Sequence, residues 1–243
     1  MTEGTPGTAA QVRQLFDAKA ATWSEKYAAG GRLTGRLAHL ADAAQAQVSA
    51  GCAVLDLGCG TGDLARHLAQ GGIKVTGCDI SGEMLKRATQ ADAMGAVEWV
   101  RLDPDWQALP FADKTFGEIV ASSVLEYVDD PVPVLRECAR VLQPGGTLLC
   151  TVPDLRHPVR WLEWLASFLA RPTLINVLAR RLPAVQGYLS YLRTSRQRRS
   201  AQQWQIIAAR VGLRHVPALS NYAIPQPLRL LTLRRPGEAR RFP

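Results

Sequence analysis

A nine-residue segment, Val54 to Gly62, constrains the fold of this chain more than any other part of its sequence. It reads Val-Leu-Asp-Leu-Gly-Cys-Gly-Thr-Gly. Its apolar start is typical of a parallel strand that is covered on both faces, and its three glycines (Gly58, Gly60 and Gly62) permit a turn that brings backbone close to a ligand. The sequence after it, residues 63–69, predicts a helix whose N-terminal amides point at the same place. This order predicts a site for a nucleotide-like ligand.

The glycine spacing and one acid narrow the ligand class. The common dinucleotide motif is G-x-G-x-x-G, whereas the glycines here follow G-x-G-x-G. Asp56 lies two residues before the first glycine, and a carboxylate there suits an ammonium group better than a pyrophosphate. On these residues the chain resembles the class I S-adenosylmethionine-dependent methyltransferases. The resemblance implies S-adenosylmethionine as cofactor, S-adenosylhomocysteine as product, and cofactor contacts from Asp56, Cys59 and the three glycines.

A second acid follows the next predicted strand, Ile73 to Cys78. In the family that the chain resembles, an acid at the position of Asp79 accepts both ribose hydroxyls, and Ile80 would then lie against adenine. The alternative is that Asp79 is a turn acid beside Ser81, which is a good N-cap for the following helix. The distance from Asp79 back to Asp56 and the glycines favours the ribose role.

The third predicted strand, Val97 to Leu102, leads to two candidate ligands for the adenine amino group. Strand register favours Asp103, whereas the distance to the Leu-Pro-Phe segment at 109–111 favours Asp105, and both assignments stay open. Trp106 could stack on adenine or could equally pack against the domain.

The fourth predicted strand, residues 116–123, introduces the catalytic candidates. Ser122 at its end is predicted to line the cofactor groove. Relatives often carry a histidine where this chain has Tyr127, and they carry an acid where it has Gly117. The loss of that histidine argues against imidazole as the general base. The predicted catalytic residues are therefore Glu126, Tyr127 and His157, of which Glu126 is the best placed on the loop after the strand.

The resemblance covers about residues 50–153 and predicts an α/β fold. Helix 134–141 is followed by the stop 142–146 and by a fifth strand at 147–152. The expected architecture is a doubly wound, seven-stranded, mostly parallel sheet of the Rossmann-like methyltransferase type. Its sixth strand would be Leu213 to Val216, and its last, antiparallel strand would be Arg229 to Leu233.

The domain plan has four parts. Residues 1–49 form a helical segment over the cofactor site, 50–153 the cofactor-binding core, 154–200 a helical arginine-rich substrate lid between strands five and six, and 201–243 the last helix and strands. An inner face of Phe16, Trp23 and Tyr27 is implied by the resemblance, with Tyr27 touching the methionine carboxylate or the substrate. The alternative is an aromatic stripe that only docks the segment on the core.

The predicted lid raises the question of a membrane. Its aromatic and aliphatic residues fall at helical spacing, and nine arginines face only two acids. The apolar face is formed by Trp161, Trp164, Leu165, Phe168 and Leu169. Such a helix suits contact with an anionic membrane surface, but a lid that packs on the domain with solvated arginines is favoured.

Composition restricts the remaining classes. The chain of 243 residues has a formal charge of +8 and a pI near 9.6. Nucleic acid is unlikely as partner because no RNA-binding module and no motif for exocyclic amines is visible. The five cysteines form no C-x-x-C pair, so no metal is predicted. A cytoplasmic location is expected from the polar N-terminus.

The predicted function is methyl transfer to O or C of a small apolar or lipid-linked metabolite. The alternatives are a non-catalytic cofactor-binding sensor and, as a minor one, an RNA methyltransferase; a nicotinamide-dependent oxidoreductase is disfavoured by the glycine spacing.

Overall fold

The computed structural model describes residues 8–28, 30–31, 33–49, 51–157, 194–195, 197–217 and 228–237. Most of the predicted lid, including Trp161, Trp164 and Phe168, lies outside the described residues. The lid and its contact with a membrane therefore stay predictions. Within the described ranges, no helix is long and apolar enough to cross a membrane.

Helices and strands alternate through the core. The described helices are α1 (Thr8–Lys19), α2 (Thr34–Gln45), α3 (Asp63–Gln70), α4 (Gly82–Ala91), α5 (Pro131–Val141) and α6 (Ala201–Arg210), with two short 3-10 turns at Ala20–Thr22 and Ser24–Lys26. The described strands are β1 (Ala53–Leu57), β2 (Val75–Asp79), β3 (Val97–Arg101), β4 (Phe116–Ser122), β5 (Leu142–Pro153), β6 (Arg214–Val216) and β7 (Leu228–Arg234). Two predicted helix starts are confirmed by their caps: Ser81 Oγ accepts the amide of Met84, and Ser200 forms a capping box with Gln203.

The seven strands form one sheet in the order β3-β2-β1-β4-β5-β7-β6. Strands β1 to β5 pair in parallel, and β7 pairs antiparallel with both β5 and β6. This confirms the predicted doubly wound, mostly parallel sheet with an antiparallel last strand. The strand order reverses between β1 and β4, which is where folds of this kind bind their ligands, outside the carboxyl ends of the strands.

Apolar layers cover both faces of the sheet. On one face, α2 and α3 pack over Val54, Val120 and Leu149. On the other face, α5 and α6 pack over residues such as Ile119 and Leu148. Alternate residues of β1, β4 and β5 face the side of the sheet that α2 and α3 cover. A polar residue at one of these positions is therefore buried unless it lies near the end of its strand.

Two details of β4 and β5 differ from the predicted pattern. Strand β5 begins at Leu142, where a turn was predicted, because Leu142 already pairs with Phe116. At Gly117, where relatives carry an acid, a Cβ would stand 2.6 Å from the Cβ of Cys52.

Candidate cofactor and acceptor site

The glycine loop after β1 depends on backbone that only glycine adopts easily. Gly58, Gly60 and Gly62 have φ values of 71°, 56° and 73°, in the left-handed region. A Cβ on Gly62 would also collide with the ring of Trp99. The amides of Gly58 and Cys59 donate to the carbonyl of Cys78 at 2.8 and 3.0 Å, which fixes the loop to the end of β2.

Asp56 lies beneath this loop as a buried, incompletely bonded acid. It is 2% exposed, and its carboxylate accepts the amide of Ala65 in α3. Its Oδ2 has no hydrogen-bond partner among the described residues. Burial, and secondarily the charge of Asp79, raise the pKa of Asp56 to about 7. A buried carboxylate with an open oxygen is complementary to a cationic group such as the ammonium of a methionine moiety.

Asp79 at the end of β2 connects the glycine loop with α4. Its Oδ2 accepts the amide of Gly60 at 2.9 Å and its Oδ1 accepts the amide of Ser81 at 2.8 Å. The predicted turn contact beside Ser81 is therefore present. It does not displace the ribose role, because each carboxylate oxygen keeps a second lone pair for a hydroxyl donor. Burial raises the pKa of Asp79, against the lowering effect of the amides of Ser81, Gly60 and Ile80.

The N-terminal segment covers the glycine loop. Trp23 Nε1 stands 3.3 Å from the point where a Cβ on Gly60 would lie. Phe16 packs edge-on against Trp23 at 5.5 Å between ring centroids, and against Tyr127 at 5.2 Å. The segment is fastened to α4 as well, because Ser81 Oγ donates to Asp17 Oδ1 at 2.5 Å. Trp23 thus lies against the glycine loop, and the role of these aromatic residues toward a cofactor stays a prediction.

Tyr27 is a half-buried phenol at the same wall. Its pKa is raised by burial, opposed by the charge of Arg36, with smaller raising effects from Asp63 and Asp56. The hydroxyl therefore stays protonated at neutral pH and serves as a hydrogen-bond donor.

A buried arginine, missed by sequence reasoning, lies across the ends of β4 and β5. Arg36 of α2 is 6% exposed, and its Nη2 donates to Ser122 Oγ at 2.5 Å, Ser123 Oγ at 2.8 Å and Thr151 Oγ1 at 3.1 Å. Arg36 Nε is buried without a hydrogen-bond partner in the described part of the chain. The available signal was its position: three residues after Leu33 and four before Leu40, it falls on the inward face of α2.

The adenine side keeps its alternatives. Asp103 and Asp105 are both exposed, and Asp103 Oδ1 accepts the amide of Asp105 at 2.9 Å. Ile80 and Trp106 are half-buried against the core, so each presents part of its surface to solvent. Both acids therefore stay candidates for the amino group.

Burial raises the pKa of Cys59 well above its ordinary value, so this loop residue remains a thiol.

The three predicted catalytic residues lie in unlike surroundings. Glu126 is 1% exposed and accepts the hydroxyl of Ser195 at 3.0 Å. Tyr127 is half-buried against Phe16, and His157 is half-buried at the end of the β5 segment, where its amide donates to Asp154 at 3.2 Å. Glu126 thus fastens the chain returning from the insert, and its role as a general base stays a prediction. Among the described residues, no group of histidine, cysteine and acidic side chains could hold a metal ion.

These features define a class before any comparison: a doubly wound α/β domain with a glycine loop, a buried acid and a second acid at the ends of adjacent strands. A family profile described as "Methyltransferase domain" matches residues 55–150. The chain is 42% identical over 108 residues to a ubiquinone/menaquinone biosynthesis C-methyltransferase of Desulfotalea psychrophila, covering 43% of each chain. It is 36% identical over 147 residues to a demethylmenaquinone methyltransferase of Tropheryma whipplei, covering 59% of each.

A solved structure extends the similarity of fold to nearly the whole chain. The magnesium protoporphyrin IX methyltransferase of Synechocystis, with bound S-adenosylhomocysteine, superimposes with a TM-score of 0.70 at 18% identity, covering 92% of this chain and 98% of the other. The chain matches only about half the length of the curated relatives. The predicted resemblance is confirmed by the match of residues 55–150 to the methyltransferase-domain profile.

Proposed function

We propose that this chain is an S-adenosylmethionine-dependent methyltransferase that acts on a small molecule. The observation that carries this proposal is Asp56: a fully buried carboxylate with an unpartnered oxygen lies directly below a left-handed glycine loop. This arrangement fits the ammonium of the methionine moiety, because the buried oxygen lacks the partner that an ammonium would supply.

Different residues of the chain would contact different parts of the cofactor. Asp56 binds the ammonium, the Tyr27 hydroxyl donates to the carboxylate, and Asp79 accepts the ribose hydroxyls. Ile80 and Trp106 flank adenine, and Asp103 or Asp105 accepts its amino group. When bound, the cofactor supplies an activated sulfonium methyl group, so the protein mainly has to orient the acceptor and exclude water. Trp23 and Phe16 serve the second task, since Trp23 lies against Gly60 and Phe16 packs on Trp23.

The acceptor is a small metabolite with an apolar body, methylated at O or C. The names of the curated relatives support this class, because one is a C-methyltransferase and another, from Sodalis glossinidius, is a ubiquinone biosynthesis O-methyltransferase that is 35% identical over 113 residues. The arginine-rich insert at 154–200 would form the lid, with peripheral contact to anionic membrane as a further possibility that its sequence supports.

A second candidate is a protein that binds the cofactor without transferring its methyl group. Its support is the state of Glu126, whose carboxylate is buried and bonded to Ser195, together with Tyr127 in place of the usual histidine. Both candidates need the same cofactor groove, so cofactor binding alone does not separate them.

Calorimetric titration of the full chain with S-adenosylmethionine tests the groove, with a nicotinamide dinucleotide as the control ligand. We expect selective binding, weakened about tenfold or more in Asp79→Asn because the charge and one of the two acceptor oxygens for the ribose hydroxyls are lost. Asp42→Asn, on the exposed side of α2, serves as the matched control. Equal binding of both ligands, or an unchanged affinity in Asp79→Asn, contradicts the proposed groove.

Transfer of tritiated methyl to quinols, phenols and lipid-linked acceptors then separates the enzyme from the sensor. Labelled product supports the enzyme. Tight cofactor binding without label in any acceptor class favours the sensor.

A further inference from the structure

The guanidinium of Arg36 is a buried positive charge that forms no ion pair with a described residue. It is 6% exposed, and its hydrogen-bond partners among the described residues are the hydroxyls of Ser122, Ser123 and Thr151. No carboxylate in the described ranges bonds to it. A buried ion that is bonded only to neutral hydroxyls is costly, since such charges are normally paired. The arrangement therefore suits an anion that the described residues do not supply.

The surrounding hydroxyls are suited to the same anion. Nη2 has two N–H bonds that the three hydroxyls share, and a hydroxyl that accepts keeps its own proton to donate elsewhere. Ser123 has a left-handed backbone, with φ of 57°, which is uncommon outside glycine and is often kept where a side chain must be aimed. Arg36 Nε adds a donor that is buried and unpartnered. A carboxylate matches this group of donors better than a neutral oxygen does, because bonds to a charged acceptor are stronger.

The position of the cluster favours the acceptor over the cofactor. Thr151 pairs with Ser122 at the carboxyl end of β5, which lies two strands from β1, about 10 Å away at normal strand spacing. Apart from Ser122, the strand-end residues proposed above for the cofactor follow β1, β2 or β3. The end of β5 lies on the opposite side of the reversal in strand order from β1, β2 and β3.

We propose that Arg36, with the hydroxyls of Ser122, Ser123 and Thr151, binds a carboxylate group of the methyl acceptor. This inference rests on the proposed function and narrows its substrate class to carboxylate-bearing molecules with an apolar body. Ser122, predicted from sequence as a cofactor ligand, serves the acceptor site instead.

The test measures binding to the complex of the full chain with S-adenosylhomocysteine. The probes are 3-phenylpropionate and the isosteric neutral 3-phenylpropionamide, titrated by calorimetry. We expect the acid to bind about tenfold or more tightly than the amide, because only the acid carries a negative charge that can pair with the guanidinium of Arg36. Arg36→Met should abolish this preference, Arg36→Lys should retain part of it, and Arg87→Met on the exposed side of α4 should leave it unchanged.

Cofactor affinity separates the two possible sources of a carboxylate. S-adenosylhomocysteine has a methionine-derived carboxylate, whereas 5′-methylthioadenosine has none. We expect Arg36→Met to change the affinity for each by less than about threefold. If the affinity of that variant for S-adenosylhomocysteine falls tenfold or more while its affinity for 5′-methylthioadenosine is unchanged, Arg36 binds the cofactor carboxylate and the proposal is wrong. A wild-type complex without preference for the acid also overturns it.

Thr151→Val keeps the test decisive if Arg36→Met does not fold. Valine replaces the buried threonine at similar volume and removes only the hydroxyl, so the preference for the acid should fall about threefold. An unchanged preference removes the hydroxyl cluster from the site. If wild type binds neither nucleoside, the proposed function is contradicted. The anion site can then still be tested by titrating the free chain with the acid and the amide.

Discussion

Asp56 and Glu118 are two buried carboxyl groups on the same face of one sheet, and they differ in where they lie along it. Glu118 pairs with Val54, two residues nearer the amino end of β1 than Asp56. Each has one oxygen without a hydrogen-bond partner in the described residues. Burial raises the pKa of Asp56 to about 7 and that of Glu118 to about 9. Burial and a raised pKa are thus common to both, and only the position of Asp56 below the glycine loop points to a ligand.

The comparison shows why a perturbed pKa alone does not identify a functional residue. Glu118 accepts the hydroxyl of Thr147 at 3.4 Å and lies on the face covered by α2. At neutral pH it is a protonated, neutral side chain, and nothing in the structure explains why glutamate stands there. Asp56 is near its titration point, so a cation can bind its charged form.

The largest expected effect separates the two acids by ligand binding. Asp56→Asn removes the charge that faces the ammonium, so the affinity for S-adenosylmethionine should fall about 100-fold, or roughly 3 kcal/mol. The free variant should unfold at higher urea than wild type, because it no longer bears the cost of a buried ionised carboxylate. Calorimetry and urea denaturation check both results. Unchanged affinity removes Asp56 from the ammonium site.

A smaller effect is expected on stability from Glu118→Gln. The folded pKa of about 9 lies above the ordinary value of 4.5, so the unfolded chain gains its charge first as pH rises, and stability is lost between these two values. The variant should therefore gain unfolding free energy over wild type at pH 8 and little at pH 4. Cofactor affinity should not change.

Glu98→Gln is the matched control for this variant. Glu98 also accepts a threonine hydroxyl from the neighbouring strand, that of Thr76 at 3.1 Å, but it is exposed. It should show no such pH-dependent gain. Equal gains in both variants would contradict burial as the cause.

The smallest effect is the pH dependence of cofactor binding to the wild type. Since Asp56 carries its charge above a pKa of about 7, the affinity for S-adenosylmethionine should rise about tenfold from pH 6 to pH 8. Binding of 5′-methylthioadenosine, which lacks the ammonium, should stay flat over this range. Parallel profiles for the two ligands would assign the dependence to another group.

The cofactor half could be predicted from sequence because its parts are local. The strand, the glycine turn and the helix lie within residues 53–70, and Asp79 follows one strand later, so short-range patterns fixed their order. The predicted start of β5 was wrong because pairing of Leu142 with Phe116, distant in sequence, extended the strand. The predicted helix starts at Ser81 and Ser200 were correct because an N-cap is formed by residues that are close in sequence.

The acceptor half could not be read in the same way. The four residues of the anion cluster come from α2, β4 and β5, and Glu126 meets Ser195 across 69 positions. An arginine within an amphipathic helix looks like an ordinary surface residue until the neighbouring strands bury it.

The sequence by itself determined the class of domain and the cofactor loop, because periodic apolar residues, glycines and strand-end acids act over a few positions. Only the tertiary structure decided which charges are buried and which partners they meet. It placed Arg36 beside three hydroxyls, turned Glu126 to Ser195 and left one oxygen of Asp56 open. The physical reason is that desolvation and hydrogen bonding depend on residues brought together by packing, and a linear pattern does not specify those distances.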